Sequence, residues 1–298
     1  MTESAAPQTP LDAATIVLLR DSDQGIQTLL LRRDTRLANM AGMYVFPGGK
    51  LDAADQENAS TALLDQAPAS LHAALAEPAI SDRAAAGLHV AALREALEEC
   101  GMLLAEPARG DALLDAVRAR QMLHDGQGFA QVLTTLGLRM ATRALVPWSR
   151  WITPIAPALA TRRFDTRFFL AQAPAHQHAT HDNEETTASL WCTARGALER
   201  YRDGSISLAP PQIMSLAHLS RYATAAQALA AARNQHPPTI QPHVFLQDGH
   251  QMHCYPGDPA HPVHERALPG PTRLSRDGNS FLPLAGFEAL FADQADGA

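Results

Sequence analysis

The stretch that most constrains this chain is Ala91-Ala92-Leu93-Arg94-Glu95-Ala96-Leu97-Glu98-Glu99-Cys100-Gly101. Stepped at about 100° per residue, as in an α-helix, it puts Leu93, Ala96, Leu97 and Cys100 on one narrow arc. Glu95, Glu98 and Glu99 fall on another arc, nearly opposite. The first arc is a core face. The second carries three carboxylates within little more than one turn. Like charges three or four residues apart cost a few tenths of a kcal/mol per pair on an isolated helix. They also lie at the C-terminal end, just before a stop at Gly101, where the helix dipole disfavours anions. The arrangement is unfavourable unless a cation sits on it, and hard divalent ions such as Mg2+ take oxygen ligands of this kind. The plainer alternative is a solvated acidic face on a surface helix.

A second stretch upstream shifts the balance. Val45-Phe46-Pro47-Gly48-Gly49-Lys50-Leu51-Asp52 is a short apolar run broken by Pro and then Gly-Gly, a strand entering a tight turn. Glycines at such a place let the backbone approach a ligand or a metal. Gly49, then Asp55 after five residues, then Arg94-Glu95-Ala96-Leu97-Glu98-Glu99-Cys100-Gly101-Met102 resemble the signature of the Nudix hydrolases. That signature reads Gly-x5-Glu-x7-Arg-Glu-U-x-Glu-Glu-x-Gly-U, with U a bulky apolar residue. Asp55 stands for its first Glu, Ala96 is a small U, and thirty-eight residues separate Asp55 from Arg94 in place of seven. An insertion at this point resembles the subfamily around the peroxisomal coenzyme A diphosphatases and their bacterial relatives.

The resemblance implies an α/β (α+β) fold, the Nudix-type α/β/α sandwich. A mixed sheet would lie between helices, with a helical insertion inside the Nudix box and a C-terminal β extension. It implies Mg2+- or Mn2+-dependent hydrolysis of a nucleoside diphosphate linked to another moiety. Glu98 and Glu99 are then the expected metal ligands, with Glu95 as ligand or base and the Gly48 carbonyl as a further ligand. Arg94 is expected to orient Glu95 by a salt bridge. Glu185, six positions before Trp191 in an acidic loop, is the second-choice base, with Glu184 as its alternative. Arg33, Gly42 and Phe46-Pro47-Gly48-Gly49 also match a coenzyme A-associated pattern. Arg32 takes its usual Thr place, Ala38 stands where a second Arg is expected, and Arg36 is the candidate substitute. Arg32, Arg33, Arg36, Gly49 and Lys50, the chain's only lysine, are thus the expected substrate contacts. A solvated strand end accounts equally well for the arginines. Coenzyme A or acyl-coenzyme A is the first substrate class, ahead of ADP-ribose, NADH and dinucleotides. The rival class is a binding module that kept the fold and lost catalysis.

The 298-residue chain reads as residues 1–12, a disordered tail, 13–236, the Nudix domain, and 237–298, the extension. A net charge of -7 argues against nucleic acid as a partner. Cys100, Cys192 and Cys254 are odd in number and widely spaced, which suits a reducing cytoplasm. No apolar run reaches the length of a membrane span. The expected partner is a small nucleoside diphosphate derivative, and a homodimer is kept open. Strands are expected over 14–19, 26–31, 145–152, 164–170 and 186–191. The 56–83 insertion reads as one or two short helices packed as a lid, broken at Pro68 and Pro78, before a motif helix over 84–99. In the segment 107–140, helical periodicity places Leu113, Leu114 and Val117, then Phe129, Val132, Leu133 and Leu136, on apolar faces. Arg162 and Arg163 either hold a phosphate or pair with Asp165. His176, His178 and His181 read as part of a mobile polar loop. Further helices are expected over 194–202, from 208 to about 218 and over 224–234, with Pro211 and Gln212 facing the ligand. A hairpin around Asp248-Gly249 opens the extension, whose five histidines, His243, His250, His253, His261 and His264, fit no zinc spacing.

Overall fold

The computed structural model describes residues 9–37, 39–59, 62–155 and 162–292. Strands β1 (Leu11–Ser22) and β2 (Gly25–Arg33) form an antiparallel hairpin, and β3 (Tyr44–Val45) adds to β2. β4 (Gly48–Lys50) returns to β1 opposite Ala13, Ala14 and Thr15. Helices α1 (Ala53–Asn58), α2 (Pro68–Leu75) and α3 (Asp82–Cys100) follow. A small unit comes next: β5 (Ala105–Pro107), α4 (Ala116–His124), α5 (Phe129–Leu136) and β6 (Leu138–Met140), with β5 and β6 paired. β7 (Val146–Ile152), β8 (Phe164–Gln172) and β9 (Thr186–Thr193) rejoin the main sheet. Then come α6 (Ala194–Arg202), α7 (Pro210–Leu219), α8 (Ala225–Arg233) and β10 (Thr239–Ile240). The main sheet runs β10-β7-β8-β1-β2-β3, with β4 also on β1 and β9 also on β2. β1–β8 and β10–β7 are parallel and the other pairs antiparallel, so the sheet is mixed. A second sheet, β11 (His243–Gln247), β12 (His250–Cys254), β13 (Arg273–Asp277) and β14 (Ser280–Leu282), is antiparallel throughout.

Period-two alternation explains the layers. On β1, Ala14, Ile16 and Leu18 join one core, and Val17 and Leu19 join the other. On β2, Leu29 and Leu31 go one way, Ile26 and Leu30 the other. α2, α3 and α5 pack in the first core. α6, α7, α8 and the second sheet pack in the second. The chain is therefore the expected α/β/α sandwich with extra C-terminal strands. Among the described residues no helix is long and apolar enough to cross a membrane.

Helix α3 is longer than its sequence reading. Ser81 caps it by accepting the Ala84 N–H at 3.1 Å. Gly101, at φ +70°, ends it, with N–H groups of Gly101 and Met102 on the Leu97 and Ala96 carbonyls. From Ala85 to Leu93 every residue is buried, because α1 and α2 cover the outer side. A Cβ at Gly87 would meet Gln56, which marks the close α1 crossing. The insertion is thus part of the core. Pro68 opens α2 instead of breaking a helix, and Leu71 and Leu75 are buried. Asp65 accepts the N–H groups of Thr142 (2.9 Å) and Arg143 (3.1 Å). Glu77 takes Arg167 through two bonds, at 3.0 and 2.6 Å, and Arg150 at 3.1 Å.

Several expectations need correction. The tail does not extend to residue 12, because β1 starts at Leu11; residues 1–8 lie outside the described residues. Leu113 and Val117 are 86% and 82% exposed, and Leu114 is exposed too. Asp115 caps α4 through the Arg118 N–H, so the helix begins after both leucines, and its inward stripe is Ala119 and Met122. Phe129, Val132 and Leu133 are buried as expected, with Leu136 partly so. Asp165 pairs with Arg150 and Arg167, while Arg163 donates to the Thr153 carbonyl. Gln212 is buried on α7, in the second core. Two of the C-terminal histidines serve the fold: His261 bonds the Gln241 carbonyl and His253 packs edge-on to Phe281.

Candidate active site

The last turns of α3 and the β4 strand build the site together. β4 lies against α3, and its two glycines let it lie close. A Cβ on Gly48 would stand 2.5 Å from the Ala14 carbonyl oxygen, and one on Gly49 would overlap Glu95 Oε1. The Gly48 N–H donates to Glu99 Oε2 at 2.8 Å. Gly48 thus meets Glu99 through its amide N–H, while its carbonyl is the group expected from sequence to join a metal.

Arg94 is the hub. Its Nε and Nη2 grip both oxygens of Asp55 at 2.9 Å. Nη1 reaches Glu95 Oε1 at 2.9 Å and Glu98 Oε2 at 2.6 Å. Nη2 also lies 3.9 Å from Asp52 and donates to the Lys50 carbonyl at 3.3 Å. Asp55 is only 1% exposed, and it also accepts the Asp52 N–H at the start of α1. The short acid in the first half of the signature thus meets the arginine of the second half across the whole insertion.

One guanidinium faces four carboxylates, and the electrostatics show the deficit. Burial pushes the Glu95 carboxyl up to about 7, against the pull of Arg94. Burial also raises Glu98, opposed by Arg94. It raises Glu99 well above the usual carboxylate range, with the Glu95 charge adding to it. Burial opposes the charge on Arg94, but Asp55, Glu95 and Glu98 outweigh it and raise that pKa. Among the described residues no three acidic, imidazole or thiol side chains already stand gathered as a metal cage. Glu98 is turned onto Arg94 and Glu99 onto the Gly48 amide. The donor set still suits a hard divalent ion: oxygen donors only, negative in sum, and partly desolvated.

The acidic loop before β9 lies on the same side. The Asp182 Oδ1 gathers the N–H groups of Glu184, Glu185 and Thr186 at 2.8–3.1 Å, which fixes the turn. Glu185 comes within 3.8 Å of Arg33, and both charges act on Glu99. Read from sequence as mobile, this loop is tied down. The Gln177 amide bonds the N–H and carbonyl of Leu103, and the Thr180 N–H bonds the Cys100 carbonyl at 3.0 Å.

The three arginines do not converge. Arg32 and Arg33 are neighbours on β2, so they leave on opposite faces. Arg33 turns toward Glu185, and its Nε holds the Asn39 carbonyl at 3.2 Å. Arg36 makes a two-bond pair with Asp34. Ala38 lies outside the described residues. Lys50 is exposed, with Nζ 3.3 Å from Asp52. Sequence reasoning missed Arg120 on α4, which bonds the end of α3 and Thr180; contacts across so many residues leave no local signal.

The family described as NUDT19 Nudix domain matches residues 5–219. The acyl-coenzyme A diphosphatase NUDT19 of Gallus gallus is 31% identical over 234 residues, covering 66% of this chain and 62% of that protein. The acyl-coenzyme A diphosphatase NUDT19 of Homo sapiens is 28% identical over 272 residues, covering 79% and 72%. The chain spans about three fifths of the length of the Gallus gallus and Xenopus laevis relatives, 62% and 60%. The crystal structure of a Nudix hydrolase from Alicyclobacillus acidocaldarius aligns with a TM-score of 0.61 at 28% identity, over 78% of this chain and 99% of that one.

Proposed function

The chain belongs to the family of NUDT19 Nudix domains, and on that premise we propose that it is a metal-dependent hydrolase of a diphosphate joining a nucleoside to another moiety. Coenzyme A or an acyl-coenzyme A is the first substrate class, supported by the names of its relatives. The observation that carries the reading is the cluster of Glu95, Glu98 and Glu99 against Gly48 and Gly49, with Arg94 paired to Glu95 and Glu98. Glu98 and Glu99 would hold Mg2+ or Mn2+, together with Glu95 or the Gly48 carbonyl. When bound, such an ion neutralises diphosphate oxygens, acidifies a water and stabilises the leaving phosphate.

The protein groups divide the remaining work. A carboxyl near neutrality is matched to taking a proton at physiological pH, and Glu95 has been pushed there. Arg94 fixes Glu95 by Oε1, and the missing Cβ of Gly49 gives that carboxylate its place. Glu185, more than half exposed and steered by Arg33, is the second-choice base. Arg33 is the first arginine candidate for substrate phosphate, because its charge acts on Glu99, whereas Arg36 is paired with Asp34. Asp in place of Glu at position 55 is a departure a degenerate copy would carry, yet Asp55 makes both bonds to Arg94. That supports an enzyme over a binding module. The three cysteines are buried free thiols, in keeping with a reducing compartment such as the cytoplasm.

The test is a substrate panel with Mg2+ and with Mn2+: coenzyme A, an acyl-coenzyme A, dephospho-coenzyme A, ADP-ribose, NADH and a dinucleotide. Fastest cleavage of the coenzyme A forms, lost in Glu98→Gln at an unchanged melting temperature, is the expected result. No hydrolysis of any member rejects the enzyme, and faster ADP-ribose cleavage moves it to that class.

A further inference from the structure

Helix α4 touches the motif helix at the end where the glutamates sit. From its inner side the part-buried Arg120 sends its guanidinium into the gap between α3 and the acidic loop. Nε and Nη2 donate to the Glu98 carbonyl at 3.2 and 2.9 Å, and Nη2 also to the Glu99 carbonyl at 3.3 Å. Nη1 donates to the carbonyl and the Oγ1 of Thr180, both at 2.8 Å. One turn on, His124 Nδ1 stands 3.8 Å from Glu184. Among the described residues no carboxylate stands within ion-pair distance of Arg120, so its charge meets only carbonyl and hydroxyl oxygens.

Two facts separate this from ordinary helix capping. The end of α3 is already closed by the Gly101 and Met102 N–H groups, on Leu97 and Ala96. Arg120 instead takes two of the remaining carbonyls, those of Glu98 and Glu99, while the Thr180 N–H takes that of Cys100. Its other edge holds Thr180, five residues before Glu185 in a loop already turned by Asp182. A planar fork bonded to both elements fixes their separation, which a single ammonium would do poorly.

We propose that Arg120 is a positioning residue. It sets the metal-ligand backbone of Glu98 and Glu99 against the loop that carries Glu185. The proposal rests on the reading of this site as a metal-dependent hydrolase.

The experiment compares wild type, Arg120→Ala and Arg120→Lys by Mn2+ calorimetry, steady-state kinetics and thermal melting. Outer-shell partners of metal ligands typically contribute about 10- to 100-fold in affinity or rate. Arg120→Ala should lose that much in Mn2+ affinity and in kcat, with KM near wild type, and Arg120→Lys should fall between. A lower melting temperature with unchanged Mn2+ affinity and kcat overturns the proposal, as does a change confined to KM. If Arg120→Ala fails to fold, Arg120→Lys decides, and wild-type values there overturn it. Mn2+ binding is read without turnover. A wild type that binds Mn2+ but cleaves nothing therefore fails the hydrolase reading, and Arg120 is still judged on affinity.

Discussion

Replacing Asp55 with Ala removes the partner that holds Arg94 from below. Asp55 is 1% exposed and takes two bonds from Arg94 at 2.9 Å, while the Arg94 side chain is 13% exposed. Removing one member of a buried pair costs about 3–5 kcal/mol, because the other charge is left uncompensated. Arg94 keeps Glu95 and Glu98, which puts the loss at the low end. The Asp52 N–H loses its acceptor at the start of α1, which adds about 1 kcal/mol. The sum is about 4 kcal/mol, and at roughly 1.6 °C per kcal/mol for a chain of 298 residues the melting temperature should fall by about 6 °C. Asp55→Glu sharpens the test, since it restores the acid of the family signature. It also forces a methylene into a filled site, at about 1–3 kcal/mol, so it should melt below the wild type. Calorimetry of the metal-free proteins, with turnover measured alongside, reads both variants. An Asp55→Ala protein that melts with the wild type would refute the role assigned to Asp55. An Asp55→Glu protein that melts above it would show that the short acid is a poor fit.

Gly49→Ala puts a Cβ onto Glu95 Oε1, so turnover should drop by about 100-fold, as for a misplaced catalytic group; melting should hardly move, and wild-type kcat would show that Glu95 has room to shift. Burial, opposed by Arg94, raises Glu95 from 4.5 to about 7, so in that window the native state binds more protons than the unfolded one and metal-free stability falls as pH rises. The slope of melting temperature against pH should flatten in Glu95→Gln, and an unchanged slope would contradict the assignment. Glu77→Gln uncouples the insertion from Arg167, which is 2% exposed; hydrogen exchange should quicken in α2 with little change in kcat, whereas unchanged exchange would show that the ion network does not hold the insertion.

What the sequence made legible was local. The alternation in β1 and β2, the stop at Gly101 and the opposed faces of the motif helix need only near neighbours. They recur in the structure with small shifts of boundary. Long-range matters were not legible. Leu113, Leu114 and Val117 have helical spacing, but Asp115 starts the helix after the first two and the turn of α4 leaves Val117 outside. Arg32, Arg33 and Arg36 are close in sequence, yet strand alternation and the Asp34 side chain separate them. The bonds of Arg120 span 21 to 60 residues, and no local pattern announces them.

The insertion also explains why a stretched signature still closes. Lengthening the link between Asp55 and Arg94 from seven to thirty-eight residues adds a loop-closure cost of only about 1.5 kcal/mol, because that cost grows with the logarithm of length. Burying Leu71 and Leu75 contributes about 1.5–3 kcal/mol each. The ties from Asp65 to the Thr142 and Arg143 amides, and from Glu77 to the sheet, then fix where the segment lies. The added residues therefore cover α3, while Asp55 still meets Arg94 with both bonds. A difference in substrate range from a chain with the short spacing would then come from the outer surface that the insertion adds, because the carboxylate cluster is built from residues on either side of it.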